Sequence, residues 1–137
     1  MVRHLVVTAA AVELGSLTRF AAQAAEEAGF ETQLRDRIEL VMDEACSNII
    51  EHAYAGRKGT IAACAEISPK RELVLKLVDQ GRAFVPAQVP AYMPCPDPDH
   101  VKLGGLGLFL MQKIMDEVFF EFDVPGVGNR LTMVKRI

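Results

Sequence analysis

Membrane-length apolar runs are missing from this chain of 137 residues: no stretch approaches the roughly 18 residues that a spanning helix needs. The opening Met1-Val2-Arg3-His4-Leu5-Val6-Val7-Thr8 has too short an apolar run for a secretory signal, so none is expected. Cysteine is sparse. Cys46, Cys64 and Cys95 are odd in number, far apart and form no CxxC pair, which argues against a disulfide scaffold and a zinc knuckle. A reducing, cytoplasmic setting is expected. Neither sign of charge dominates: 15 Lys+Arg against 18 Asp+Glu leave a net charge of −3. The basic field that nonspecific nucleic-acid binding requires is therefore lacking. There is no GxxxxGK(S/T) phosphate loop, no internal repeat and no low-complexity tail. What is present is a composition 50% hydrophobic and 24% charged, which suits a packed core and argues against disorder. The length fits a single domain over residues 1–137.

Residues 2–8 read as a short strand rich in Val and Leu. Good helix formers fill Val12 to Ala28, with Gly29 as the stop, and a longer helix is expected from Glu31 to Tyr54 with Gly56 beyond it. Thr60–Ser68 and Glu72–Val78 form a hairpin signal around Ser68-Pro69-Lys70-Arg71. Between Arg82 and Leu103 stand Pro86, Pro90, Pro94, Pro96 and Pro98, a density that forbids regular helix or inner strand. Gly104-Gly105-Leu106-Gly107 opens a third helix, and two strands, Glu117–Val124 and Arg130–Arg136, complete the chain. The order β-α-α-β-β-loop-α-β-β predicts an α+β fold. It is a two-layer α/β sandwich, its helices on one face of a mixed, mainly antiparallel sheet.

The long helix carries two faces. With Glu44 at zero and about 100° per residue, Asn48 lies near 40°, Glu51 near −20° and His52 near 80°. Ile38, Met42, Ala45, Cys46, Ile49 and Ala53 fall on the opposite flank, between about 100° and 200°. A carboxylate and a carboxamide at i and i+4 can converge on one metal ion or one water. Taken alone, the same residues also fit a solvated polar face. His52 suits a helix end near the C-terminal dipole, and with no second His four residues away the zinc-hydrolase spacing is missing.

Two glycine segments add chemistry. Asp79-Gln80-Gly81 follows a strand, where an Asp can accept hydrogen bonds from an exocyclic amine and a Gly lets backbone approach a flat ring. By itself this is an ordinary turn signal. Gly104-Gly105-Leu106-Gly107 before a helix offers free N–H groups to anions, or else a hinge.

Glu44-xxx-Asn48 on a helix, Asp79-x-Gly81 after a strand and a long loop closing on Gly104-Gly105-x-Gly107 together resemble the ATP-binding fold of sensor histidine kinases and type II topoisomerases. More narrowly, Asp43-Glu44-Ala45-Cys46-Ser47-Asn48-Ile49-Ile50-Glu51-His52-Ala53-Tyr54 resembles the asparagine box of the anti-sigma factor serine kinases. So do Gly104–Leu108 followed by Met115-Asp116-Glu117-Val118, and the ending Asn129–Arg136. The resemblance implies ATP and Mg²⁺ as cofactors, with Asn48 holding Mg²⁺ against the phosphates and Glu44 as general base for the attacking hydroxyl. It implies Asp79 as reader of the adenine amino group, Gly81 beside the ring and Thr132 supporting adenine recognition through water. It also implies Gly105 and Gly107 against the phosphates, and Arg82–Leu103 as a lid. Arg19 on the first helix is similar in position to an arginine used for partner contacts, with a solvated surface arginine as its alternative. The implied partners are a sigma factor and an anti-anti-sigma protein, with no direct nucleic-acid or membrane contact, and a homodimer is compatible with it.

Relatives often read Phe-Asp-Pro where this chain has Phe84-Val85-Pro86, and the lid's cations are few: Arg82, His100 and Lys102. Phosphoryl transfer depends on positive charge around the γ-phosphate. Two functions follow as expectations: an ATP-dependent anti-sigma factor serine/threonine kinase, or a non-kinase ATP-binding module that controls a signalling partner by binding. A metal-dependent hydrolase would use Glu44, Asn48 and His52 but leave the glycine segments unexplained.

Overall fold

The structure, a computed structural model, describes residues 1–83 and 103–137, with 103–107 as backbone only. The expected lid therefore lies, over 84–102, outside the described residues. Strand β1 (Val2–Thr8) leads through a 3₁₀ turn (Ala11–Glu13) into α1 (Leu14–Glu27) and then α2 (Thr32–Asn48). α2 continues without a break into a π-helical turn, Ile49–Tyr54. There follow β2 (Thr60–Ile67), β3 (Glu72–Asp79), α3 (Leu103–Ile114), β4 (Glu117–Val124) and β5 (Gly128–Arg136). The sheet order is β1-β2-β3-β5-β4. Every neighbouring pair is antiparallel, so the expected mixed sheet is wholly antiparallel across the described strands.

Alternation sets the buried face. Leu73, Leu75 and Leu77 of β3 point into the core and Asp79 is next in the same series. On β5 the inward series is Asn129, Leu131, Met133. The register pairs Leu75 with Met133, Leu77 with Leu131 and Asp79 with Asn129. Two apolar stripes thus each end, at the same edge of the sheet, in a polar side chain. Small residues on β2, Ala63 and Ala65, face the helices, and α1 answers with Leu17, Phe20, Ala21, Ala24 and Ala25 at helical spacing. α2 contributes Ile38, Val41, Met42, Ala45 and Cys46, and α3 contributes Met111. Burial, with the Asp43 charge adding to it, pushes the Cys46 thiol up to about 12, so it is a core residue and not a nucleophile. Among the described residues the opposite sheet face carries no helix, and it exposes Val2, Val6 and Phe119. Among the described residues no helix is long and apolar enough to cross a membrane.

Candidate functional site

The π-helical turn fixes one wall of the site. Ala55 N–H donates to the Ile50 carbonyl, a wider i to i+5 bond, and the run ends where Ala55 takes φ 50°. The carbonyls of His52, Ala53 and Tyr54 each find a donor. The Arg82 backbone N–H donates to the Ala53 carbonyl at 2.9 Å, and its Nε to the His52 carbonyl at 3.1 Å. Arg57 donates from Nη2 to the Ala53 carbonyl at 2.9 Å and from Nε to the Tyr54 carbonyl at 3.0 Å. Two guanidinium groups thereby meet the negative end of the helix dipole. The Tyr54 hydroxyl donates to the Thr60 carbonyl at 2.6 Å and accepts from the Gln80 N–H at 2.8 Å, tying this turn to the exits of β3 and the start of β2.

Gly81 is fixed by the same contact. A Cβ there would lie 2.6 Å from the Ala53 backbone carbon, so only glycine lets the strand end pack against the turn. Its N–H donates to Asp79 Oδ1 at 2.9 Å. Asn129 Nδ2 donates to the same oxygen at 2.9 Å. Oδ1 is thus held twice, while Oδ2 has no hydrogen-bond partner among the described residues. Burial raises the Asp79 pKa, opposed by the hydrogen bonds from Asn129 and Gly81.

Asn48 (4% exposed), Asp79 (5%) and Asn129 (4%) are the buried polar side chains among the described residues. All three line one cavity of about 20 Å³, room for roughly one water. Ala45, Ile49, Met111, Phe120, Phe122 and Leu131 supply its apolar walls. The rings of Phe120 and Phe122 stack with centroids 6.0 Å apart. The Asn48 carboxamide has no hydrogen-bond partner among the described residues. An unpaired carboxamide and an unpaired carboxylate oxygen, on two residues that line one cavity, are groups a ligand can satisfy.

Glu44 sits one turn before Asn48 on α2, half-buried and outside the lining of this cavity. Burial raises its pKa, and the like charges of Asp43 and Glu51 add to it. Glu51 and His52 are exposed on the π-helical turn. Gly105 and Gly107 lie within the first turns of α3, which starts at Leu103, one residue before the expected glycine opening. Met111 of that helix reaches the cavity wall. Arg19 is exposed on α1 and lines a separate hollow of about 580 Å³ with Arg3, His4, Ser16 and Gln23.

Thr132 departs from its expected place. It pairs with Lys76 and Phe119, out of phase with the inward series Asn129, Leu131, Met133. A strand shows successive side chains to opposite faces, so Thr132 points to the open face of the sheet and Leu131 to the cavity. The sequence reading also passed over Asn129, which looks like the tail of the turn Pro125-Gly126-Val127-Gly128. Matching the alternation of β5 to that of β3 would have found it opposite Asp79.

The profile of the family described as Histidine kinase-like ATPase domain matches residues 7–135. The chain is similar to an Anti-sigma F factor of Clostridium acetobutylicum, 30% identical over 74% of this chain and 69% of the relative. It is similar to the Serine-protein kinase RsbW of Bacillus licheniformis, 29% identical over 79% of this chain and 70% of the relative. The same-named protein of Listeria monocytogenes is 27% identical over 79% and 71%. In fold, it matches the histidine kinase domain of a blue-light activated histidine kinase from Erythrobacter litoralis, with a TM-score of 0.53 at 20% identity. That match covers 89% of this chain and 60% of the solved one. With the profile spanning nearly the whole sequence, and the fold in agreement, the chain belongs to the histidine kinase-like ATPase domain family.

Proposed function

We propose that the chain is an ATP-dependent anti-sigma factor serine/threonine kinase, which binds a sigma factor and phosphorylates a serine or threonine of an anti-anti-sigma protein. The observation that carries this reading is the cavity in which Asn48 and Asp79 keep unpaired polar atoms. Asp79 Oδ2 is an acceptor set in apolar walls, the complement of an adenine amino group. The relatives' names, an anti-sigma factor and a serine-protein kinase, support a sigma factor as partner and serine as acceptor, and the resemblance of the motifs adds the anti-anti-sigma protein.

The carboxamide oxygen of Asn48 suits Mg²⁺, a hard cation that usually takes one or two protein ligands and completes its shell with water and phosphate oxygens. Among the described residues no group of three or more His, Cys, Asp or Glu is placed to hold a metal ion. When bound, Mg²⁺ offsets charge on the phosphates. Gly105 would present its backbone N–H to those phosphates from the first turn of α3, and Gly107, in the next turn, would let them approach the helix closely. Glu44 would accept the proton of the attacking hydroxyl, and its raised pKa strengthens it as a base.

The test is transfer of labelled phosphate from ATP to a candidate anti-anti-sigma protein. Glu44→Gln is expected to keep ATP affinity and slow transfer by about 10²–10⁴-fold. Transfer at the wild-type rate would remove Glu44 as the base.

A second reading, an ATP-binding module that regulates by binding alone, is favoured by the state of two arginines. Arg130 lines the cavity but is paired in bidentate fashion with Glu121, at 2.8 and 3.0 Å, and Arg82 Nε is used on the His52 carbonyl. Nucleotide-dependent partner binding without any phosphate transfer would select it.

A further inference from the structure

We propose that Asn129 sets the base specificity of the nucleotide site, as a positioning residue that holds the Asp79 carboxylate with one oxygen turned to the base. This rests on the reading of Asp79 as the acceptor for the adenine amino group.

The geometry of Asn129 leaves it one orientation. Its Nδ2 donates to Asp79 Oδ1 at 2.9 Å and to the Gly81 carbonyl at 2.9 Å. Its Oδ1 accepts from the Asp123 N–H at 3.1 Å. Two acceptors stand on one side of the amide and one donor on the other. A flipped amide would set oxygen against a carboxylate and a carbonyl, and NH₂ against N–H, losing all three bonds. The amide is therefore a fixed bracket, and it is buried.

The bracket fixes Asp79 in turn. Oδ1 already accepts from the Gly81 N–H at 2.9 Å. With the Asn129 bond added, two donors converge on that oxygen, and the carboxylate has no freedom to exchange its two oxygens. Oδ2 is left as the free acceptor of a residue that lines the cavity. Without Asn129, the Gly81 N–H alone would hold the group, and rotation about the last side-chain bond would present either oxygen or neither.

The fold is built around this contact. Gly128 takes φ 100°, and a Cβ there would come 2.4 Å from the Asp79 carbonyl oxygen, so glycine lets the two strand ends close up. The Asp123 N–H that orients the amide lies where the β4–β5 register shifts, with Asp123 at φ 52°. That irregularity follows Phe120 and Phe122, which wall the same cavity. Asn129 thus joins the polar acceptor to the strand that carries the apolar walls.

The experiment compares ATP with ITP, which carries an oxo group in place of the amino group, by calorimetric titration into wild type, Asn129→Ala and Asn129→Asp. Asn129→Asp is nearly isosteric and keeps an acceptor for the Asp123 N–H while removing the donor to Asp79. Circular dichroism establishes that each variant is folded, and either one suffices. Wild type is expected to prefer ATP. In the variants ATP affinity should fall by about 5- to 150-fold with ITP affinity nearly unchanged, so the preference collapses. A merely structural role would weaken both nucleotides alike and keep the ratio, which overturns the proposal. A wild type that binds both equally would instead remove Asp79 as the reader of the amino group, and the role of Asn129 with it.

Discussion

Asp79 is the residue on which chemistry and stability pull in opposite directions. Burial raises its pKa above the ordinary 3.8, despite hydrogen bonds from Asn129 and Gly81 that favour the charged form. In the nucleotide-free protein the native state keeps this proton at a pH where the unfolded chain has already released it. The contribution of Asp79 to stability therefore declines as pH rises from the unfolded pKa through the folded one. Binding has the other sign. Oδ1 is filled by two N–H donors, so a proton taken up by Asp79 goes to Oδ2 and turns the acceptor into a donor. ATP affinity should fall on acidification through the raised pKa, and the Asp79→Asn variant should lack that component. Calorimetric titrations over descending pH check this, and identical pH profiles in the two proteins would count against it. The place of Asp79 at the end of an apolar strand was readable in the sequence, because Leu73, Leu75 and Leu77 alternate before it. The face that Thr132 takes was not readable, because a shift of one residue on a strand exchanges the two faces. Asn129 was hidden because its importance comes from a residue fifty positions away.

At the scale of elements, the π-helical turn is the joint that brings helix and strand together. The amphipathic pattern of α2 was legible, since Ile38, Met42, Ala45 and Cys46 are all buried as their angles require. The widening to i to i+5 bonding was not, because it answers to partners elsewhere in the chain: Arg82, Gly81 and the Tyr54 hydroxyl's contacts with Thr60 and Gln80. The strand limits came out within a residue or two, their turns being marked by Pro, Gly and charge. The consequence can be measured at Tyr54, whose ring is buried and whose hydroxyl joins three elements. Tyr54→Phe leaves the Thr60 carbonyl and the Gln80 N–H without that partner and should cost about 1–3 kcal/mol. Urea unfolding of the two proteins checks it. Equal stability would mean that the turn is held by its arginine-capped carbonyls alone.

At the scale of the whole molecule, a sheet covered on one face by α1, α2 and α3 brings its buried polar side chains to one place. Asn48 comes from the helix layer, Asp79 and Asn129 from adjacent strands, and apolar residues of α2, α3, β4 and β5 close the cavity around them. Three buried polar side chains at one edge of a core are costly to stability, and the chain belongs to a family described as a histidine kinase-like ATPase domain, so ATP is the ligand to test there. The account stands most directly on the ATP affinity of Asp79→Asn beside wild type, measured by calorimetry at fixed Mg²⁺. Replacing an acceptor oxygen by an amide that can face the adenine amino group should weaken ATP by about 5- to 150-fold, or roughly 1–3 kcal/mol. A folded Asp79→Asn protein that binds ATP as tightly as wild type would contradict it, and the nucleotide would have to be read elsewhere.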